Sequence, residues 1–321
     1  MPKILVTEPL PGNSVDELVK KYDVTVAERG SCNSEDVLID IIPSYDGLLS
    51  LLSTPVSEKV LKAAPDLKIV ANCAVGYNNI DLEAARNLGI RVANTPDVLT
   101  DATADLTLAL ILSVTRKLRE AEDYLRDGKF DEWMPKGFLG FELSGAKLGI
   151  IGLGRIGKAV ARRAKAFGME IGYFNRKPVD SHTEHELDAS FFDSVDQLAE
   201  WSNILSIHSP LNESSHHLIN HTTLKNLGKQ GFLINTARGP IVDEAALADA
   251  LHNNLIAGAG IDVFEEEPRV HPDLLTAPNA VLLPHIGSAT YKTRTRMAHL
   301  AATAIDYVLQ GNPDKAENLV V

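Results

Sequence analysis

Cysteine is scarce. Cys32 and Cys73 are the only two in 321 residues, which excludes a disulfide framework and predicts a reducing, cytoplasmic setting. Cationic charge is short too. Against 43 Asp and Glu stand 31 Lys and Arg, a net charge of −12 that argues against nucleic acid or an anionic membrane surface as a general partner. A local cationic pocket for an anionic substrate stays compatible with that balance. No apolar run is long. Residues 106–114 form the longest, well short of the roughly 18 residues a membrane span needs. No cationic segment precedes an apolar stretch at the N-terminus, so no signal peptide is expected, and without one the acceptor patterns at Asn212 and Asn220 are not expected to be glycosylated. Short-period repeats and low-complexity tracts are absent. His216, His217 and His221 have a spacing that puts a pair on one helix face, but nothing completes a ligand set, so no metal is expected.

What is present is a chain long enough for two domains with their own cores. The most informative stretch is residues 147–176. Lys147-Leu148-Gly149-Ile150-Ile151 is a short apolar run suited to a buried strand. Gly152-Leu153-Gly154-Arg155-Ile156-Gly157 follows at once. Residues 158–167 have helical periodicity, Gly168 closes the helix, and residues 169–174 form a second strand. A GxGxxG between strand and helix is a dinucleotide-binding unit. Gly152 permits the tight turn, Gly154 lets the backbone approach a pyrophosphate, and Gly157 lets helix pack on strand. The helix N-terminus offers free N–H groups to the phosphates. The second strand runs into Asn175-Arg176-Lys177, where an NAD site usually has an acid for the ribose 2′-hydroxyl. Two cations and no carboxylate favour NADP(H), with NAD(H) as the alternative.

Residues 1–99 alternate strand and helix, which implies a parallel doubly wound sheet. Ser14 is the expected N-cap of its first helix. Loops at residues 52–55 and 74–77 follow strands, where ligands bind in such folds. Asn94-Thr95-Pro96 reads as a hinge. Residues 101–125 are expected to form one long helix, apolar nearly all round in its first half and therefore buried. Trp133, Phe138 and Phe141 follow in an irregular stretch that suits either a dimer interface or packing on the same chain. Further strands are expected at 203–208, 231–235, 256–262 and 280–283, with Asp243 capping a helix over 243–253. A last helix over 288–310 is expected to cross back to the first domain. The expected division is a discontinuous substrate-binding domain, 1–99 with 289–321, and a dinucleotide-binding domain, 100–288. Both are α/β domains with doubly wound parallel sheets, with a cleft between them.

Three strand-following loops carry the polar groups for chemistry. Arg238, after the strand ending at Asn235, can grip a carboxylate by a two-pronged fork. His285 can give a proton to a carbonyl oxygen as hydride reaches carbon. Glu267 can orient His285 and favour its protonated form. Pro268 holds the backbone of Glu267 extended, which singles it out from Glu265 and Glu266, otherwise a solvated acidic run. Asp262 can accept from a nicotinamide carboxamide. The bland alternatives are a structural pairing of Arg238 with Asp243 or Asp262, and a structural role for His285.

Gly152-x-Gly154-x-x-Gly157, Asn235-Thr236-Ala237-Arg238-Gly239, Asp262-Val263-Phe264-x-x-Glu267-Pro268 and Pro284-His285-Ile286-Gly287 together resemble the D-isomer-specific 2-hydroxyacid dehydrogenases, essentially end to end. Within that family the segments at 72–81, 95–105 and 138–141 look most like glyoxylate/hydroxypyruvate reductases. The resemblance implies reduction of small 2-oxo acids by NAD(P)H, with Arg238, Glu267 and His285 as catalytic residues. It implies that the Val75 and Gly76 amides hold the substrate carboxylate, beside Leu52. Thr103, Thr236, Ala237 and Asp262 would line the nicotinamide side, and His208 and Pro210 the adenosine. Arg155, Ile156, Arg238, His285 and Gly287 complete the implied cofactor contacts. A homodimer is implied as well. The alternatives within the family are 2-ketogluconate reductase and 3-phosphoglycerate dehydrogenase. The latter often has a further C-terminal domain, and this chain ends soon after its last helix. Outside enzymes, the alternative is a dinucleotide-sensing corepressor-like binding protein, for which no tail is evident.

Overall fold

Short apolar runs without polar alternation become strands covered on both faces. Ile69–Asn72 and Phe232–Asn235 are two of them, buried at every residue. The computed structural model describes every residue, Met1 to Val321, and the chain divides into two units, Met1–Leu99 with Ser288–Val321, and Thr100–Gly287.

The first unit holds strands β1 (Lys3–Val6), β2 (Asp23–Val26), β3 (Gly47–Ser50), β4 (Ile69–Asn72) and β5 (Arg91–Ala93). They form one sheet in the order β2-β1-β3-β4-β5, and every pairing is parallel. That is the flavodoxin-like order, whose switch point lies between β1 and β3. The helix Tyr291–Leu309 buries Ala298, Ala301, Ala302, Ala304 and Ile305 in this unit's core. Asp306 on the same helix ties it to the segment that follows the helix Ser14–Val19, accepting from Lys21 at 2.7 Å and from Tyr22 Oη at 2.8 Å.

The second unit holds β6 (Lys147–Ile151), β7 (Glu170–Phe174), β8 (Ala189–Phe191), β9 (Ile204–Ile207), β10 (Phe232–Asn235), β11 (Gly258–Ile261) and β12 (Ala280–Leu282). Their order is β12-β11-β10-β9-β6-β7-β8, again all parallel. This is the Rossmann order with a seventh strand, reversing direction between β6 and β9. Separate apolar clusters cover its two faces.

Two expectations are corrected. The helix expected over 101–125 is two, Thr100–Thr115 and Leu118–Arg126, broken where Lys117 turns left-handed at φ 52°. The first buries half of its residues and the second buries none, so the two halves answer to different surroundings. Ser14 is not a cap but the first helical residue after Asn13, and its buried hydroxyl finds no partner. The edge strand β8 and the helices Glu35–Ile41, Ser181–Leu187 and Val195–Trp201 were not anticipated from periodicity. Asp243 does cap its helix, accepting from the Ala246 amide at 2.9 Å. No helix is long and apolar enough to cross a membrane.

Candidate active site

The glycine turn leaves β6 at the switch point of the second sheet. Gly152 has φ 95°, and a Cβ there would lie 2.7 Å from the Ser209 amide nitrogen. A Cβ on Gly157 would lie 2.3 Å from the Gly152 carbonyl oxygen. Both must be glycine for reasons internal to the chain. Gly154 differs: a Cβ there would meet nothing within 4 Å. Space is open in front of it, and Gly154 is the N-cap of the helix Arg155–Ala166, whose first amides have no helical acceptor. That open approach to an amide-rich helix start fits a bound pyrophosphate. The loop is braced from β7, since Asn175 Oδ1 accepts from the Leu153 amide at 2.8 Å. Asn175 thus serves the glycine turn itself. Arg176 and Lys177 are exposed and make no ion pair. His208, after β9, turns its Nε2 onto Ser206 Oγ at 2.8 Å. Burial pushes its imidazole down to about 3, so the ring is neutral. Pro210 is exposed beyond it, its carbonyl accepting from Ser215 Oγ at 2.8 Å.

The ends of the adjacent strands β10, β11 and β12 bring the chemical groups together. After β10, the buried Asn235 side chain shapes the turn, accepting from the Ala237 amide at 3.0 Å and donating to the Arg238 carbonyl at 2.9 Å. Arg238 donates from one guanidinium nitrogen to the Ala237 carbonyl at 2.6 Å. Burial pushes its guanidinium down from the ordinary value, and the Glu267 carboxylate opposes the change. Thr236 Oγ1 lies 3.0 Å from Thr107 Oγ1, and Thr107 donates to the Thr103 carbonyl one turn earlier at 2.8 Å. Thr103 Oγ1 donates to the Gly287 carbonyl at 3.4 Å.

His285 has φ 53°, left-handed backbone that costs a non-glycine residue roughly 1 kcal/mol. Asp262 at the end of β11 holds it there. The Asp262 carbonyl accepts from the His285 amide at 2.9 Å. Its carboxylate accepts from Ile286 at 2.7 Å and from Gly287 at 2.8 Å. Burial pushes the Asp262 carboxyl up, and the two amides offset part of that. Both carboxylate oxygens therefore hold the histidine loop, a role the carboxamide reading of Asp262 missed.

His285 Nδ1 lies 2.8 Å from Glu267 Oε2, and the other Glu267 oxygen accepts from the Phe264 amide at 3.0 Å. An ionised carboxylate only accepts, so Nδ1 carries its hydrogen and Nε2 is left for a reactant. Burial raises the Glu267 carboxyl. The His285 hydrogen bond and charge, the Phe264 amide and Arg238 outweigh burial and hold it below the usual carboxylate range. The other two acids of the run have separate fates. Glu265 pairs with His217 Nε2 at 2.6 Å, and the exposed Glu266 pairs with Arg269 at 3.2 Å. His217 is thus engaged with Glu265, and no three His, Cys, Asp or Glu side chains gather in a metal-holding group.

In the first unit, the loop after β4 carries Val75 and Gly76. Their carbonyls accept from Asn94 Nδ2 at 2.7 Å and Asn72 Nδ2 at 2.8 Å. Their amides donate to nothing in the chain. Leu52 borders a cavity of about 440 Å³ that Pro55, Asn78 and Asn79 also line.

A Rossmann-ordered sheet with a braced glycine turn, and a histidine–glutamate pair beside a half-buried arginine on the same strand ends, define an oxidoreductase that uses a nicotinamide dinucleotide. The family model described as "D-isomer specific 2-hydroxyacid dehydrogenase, NAD binding domain" matches residues 108–287, and the chain belongs to that family. It is 45% identical to a glyoxylate reductase of Thermococcus onnurineus over 94% of this chain and 91% of that one. Among solved structures, it is similar to an NADPH-dependent glyoxylate/hydroxypyruvate reductase of Sinorhizobium meliloti in complex with NADP and malonate. That match has TM-score 0.84 and 36% identity over 96% of this chain and 93% of that chain. A glyoxylate reductase of Paecilomyes thermophila matches with TM-score 0.85 and 32% identity over 97% and 96%.

Proposed function

We propose that this protein reduces small 2-oxo acids, glyoxylate and hydroxypyruvate, to the 2-hydroxy acids, with NADPH preferred to NADH. The observation that carries the reading is the His285–Glu267 pair at 2.8 Å, with the half-buried Arg238 nearby on the neighbouring strand end. Gly152, Gly154, Arg155, Ile156 and Gly157 would hold the pyrophosphate. Thr103, Thr236, Ala237, Asp262 and Gly287 would flank the nicotinamide, with His208 and Pro210 toward the adenosine. When bound, the dihydronicotinamide supplies the hydride. Arg238 binds the substrate carboxylate by its fork. His285 Nε2 donates to the carbonyl oxygen and gives it a proton. Glu267 fixes the ring and balances its charge. The relatives named above are reductases of glyoxylate, which favours this substrate class over 2-ketogluconate or 3-phosphoglycerate.

The NADPH preference rests on Arg176, exposed and without an ion pair where an acid would repel a 2′-phosphate. Arg176→Ala weakens NADPH binding by roughly tenfold, as loss of one exposed charge-assisted contact should. NADH binding stays within about twofold. Fluorescence titration with both cofactors checks this, and equal weakening of the two removes Arg176 from the role.

A homodimer is the other finer reading. The helix Leu118–Arg126 buries no residue, and beyond it Trp133 is 78% and Leu139 66% exposed. Apolar surface of this extent on one arm suits a second copy of the chain. Light scattering on the purified protein gives twice 34.8 kDa, and charged substitutions at Trp133 and Leu139 together lower it toward 34.8 kDa. A wild-type mass of one chain contradicts the reading. The unpaired Cys32 and Cys73 agree with a cytoplasmic setting.

A further inference from the structure

Glu244 is a carboxylate only 6% exposed, at the first position of the helix Glu244–His252. A buried acid is costly unless its oxygens are used. Its Oε1 accepts from the Glu265 amide at 2.7 Å. Residue 265 is the leading shoulder of the loop that carries Glu267. The arrangement is reciprocal there. The Glu244 amide donates to Glu265 Oε1 at 3.3 Å, and His217 Nε2 meets the same oxygen at 2.6 Å. One residue before Glu265, the Phe264 amide donates to Glu267 Oε1 at 3.0 Å. The Phe264–Glu265 peptide also lies flush against the residue after Arg238. A Cβ on Gly239 would fall 1.9 Å from the Phe264 carbonyl carbon.

We propose that Glu244 is a positioning residue for proton transfer: its carboxylate staples the leading shoulder of the Glu267 loop, so that Glu267 meets His285 and stays in register with Arg238. The proposal rests on the acid–base reading of His285 and Glu267. Two features distinguish it from ordinary loop packing. Glu244 and Glu265 each accept from the other's amide. The Phe264–Glu265 peptide that they fix lies against Gly239, next to Arg238, and follows directly on the Phe264 amide that holds Glu267. Burial raises the Glu244 carboxyl and the Glu265 charge adds to it, while the Glu265 amide and the nearby His271 oppose. The charged and titratable groups around the staple are Glu265, His217 and His271. Those around Glu267 are His285, Arg238 and Asp262.

The test uses the whole protein with glyoxylate and NADPH. Glu244→Gln keeps the shape but replaces one carboxylate oxygen by an NH₂ and removes the charge from the acceptor. Glu244→Ala removes the acceptor altogether. The expected result is a kcat loss of about tenfold for E244Q and about a hundredfold for E244A, since displacement of a catalytic group by about 1 Å can cost as much. NADPH affinity stays within about twofold, and the acid limb of the pH–rate profile moves to higher pH as Glu267 loses the His285 and Phe264 contacts that hold its carboxyl low. If E244A does not fold, E244Q alone decides. A folded E244Q with wild-type kcat and an unmoved pH profile, changed only in melting temperature, overturns the proposal. His285→Ala is run beside it. An impaired H285A with an unimpaired E244Q sinks the staple alone, whereas an unimpaired H285A sinks the acid assignment and the staple with it.

Discussion

Replacing His285 by alanine lowers glyoxylate turnover by about 10²–10⁴-fold, the usual contribution of a positioned acid, and leaves cofactor affinity close to wild type. The loss is specific because His285 gives its Nδ1 to Glu267 and keeps Nε2 free. Its left-handed backbone makes the choice of variant matter. Alanine at φ 53° adds strain, whereas asparagine adopts that region readily. His285→Asn is the matched control, and both variants should be equally impaired. Steady-state kinetics with a cofactor titration and a melting curve separate lost chemistry from lost folding. Turnover within tenfold of wild type in either variant removes the proton from His285. The pair also has a pH sign. The Glu267 carboxyl is held low by His285, the Phe264 amide and Arg238 in spite of burial, so it stays ionised through the neutral range. Its contribution to stability is complete above the unfolded carboxylate value of about 4.3 and is lost as pH falls through the depressed folded one.

Arg238→Ala lowers kcat/KM for glyoxylate by about a hundredfold or more. Removing one partner of a desolvated charge pair costs about 2–5 kcal/mol, and about 1.4 kcal/mol is a factor of ten. The effect falls mainly on substrate affinity, because the guanidinium is the fork for the carboxylate. Arg238→Lys restores little, since an ammonium is a point charge without two parallel donors. Burial sharpens the demand. The guanidinium is pushed down from its ordinary value by desolvation and supported by the Glu267 carboxylate. Removing it leaves Glu267 facing only His285, so some loss in kcat accompanies the rise in KM. A KM for glyoxylate within about threefold of wild type, with NADPH binding intact, contradicts the assignment.

Both sheets were legible because parallel strands buried on two faces read as short continuous apolar runs, and the glycine turn sat between two of them. That His285, Glu267 and Arg238 gather on neighbouring strand ends was legible from strand-following positions plus residue chemistry. What escaped was anything defined by backbone partners. Asp262 reads in sequence as a ligand contact; that its two oxygens also hold the Ile286 and Gly287 amides leaves no pattern there. Glu265, Glu266 and Glu267 look alike in sequence and have three fates, set by whether His217, Arg269 or His285 stands opposite. The break at Lys117 was hidden because a lysine in left-handed backbone carries no composition signal. Asn175 shows a mixed outcome. The missing acid was visible, but its amide's grip on Leu153 was not.

The measurement that bears most directly on the account is product formation by the purified protein with NADPH and glyoxylate, following loss of dihydronicotinamide absorbance and assaying glycolate. One glycolate appears for each NADPH oxidised, hydroxypyruvate is also reduced, and His285→Asn abolishes both reactions while still binding NADPH. A protein that binds NADPH yet oxidises none of it with either 2-oxo acid contradicts the central claim.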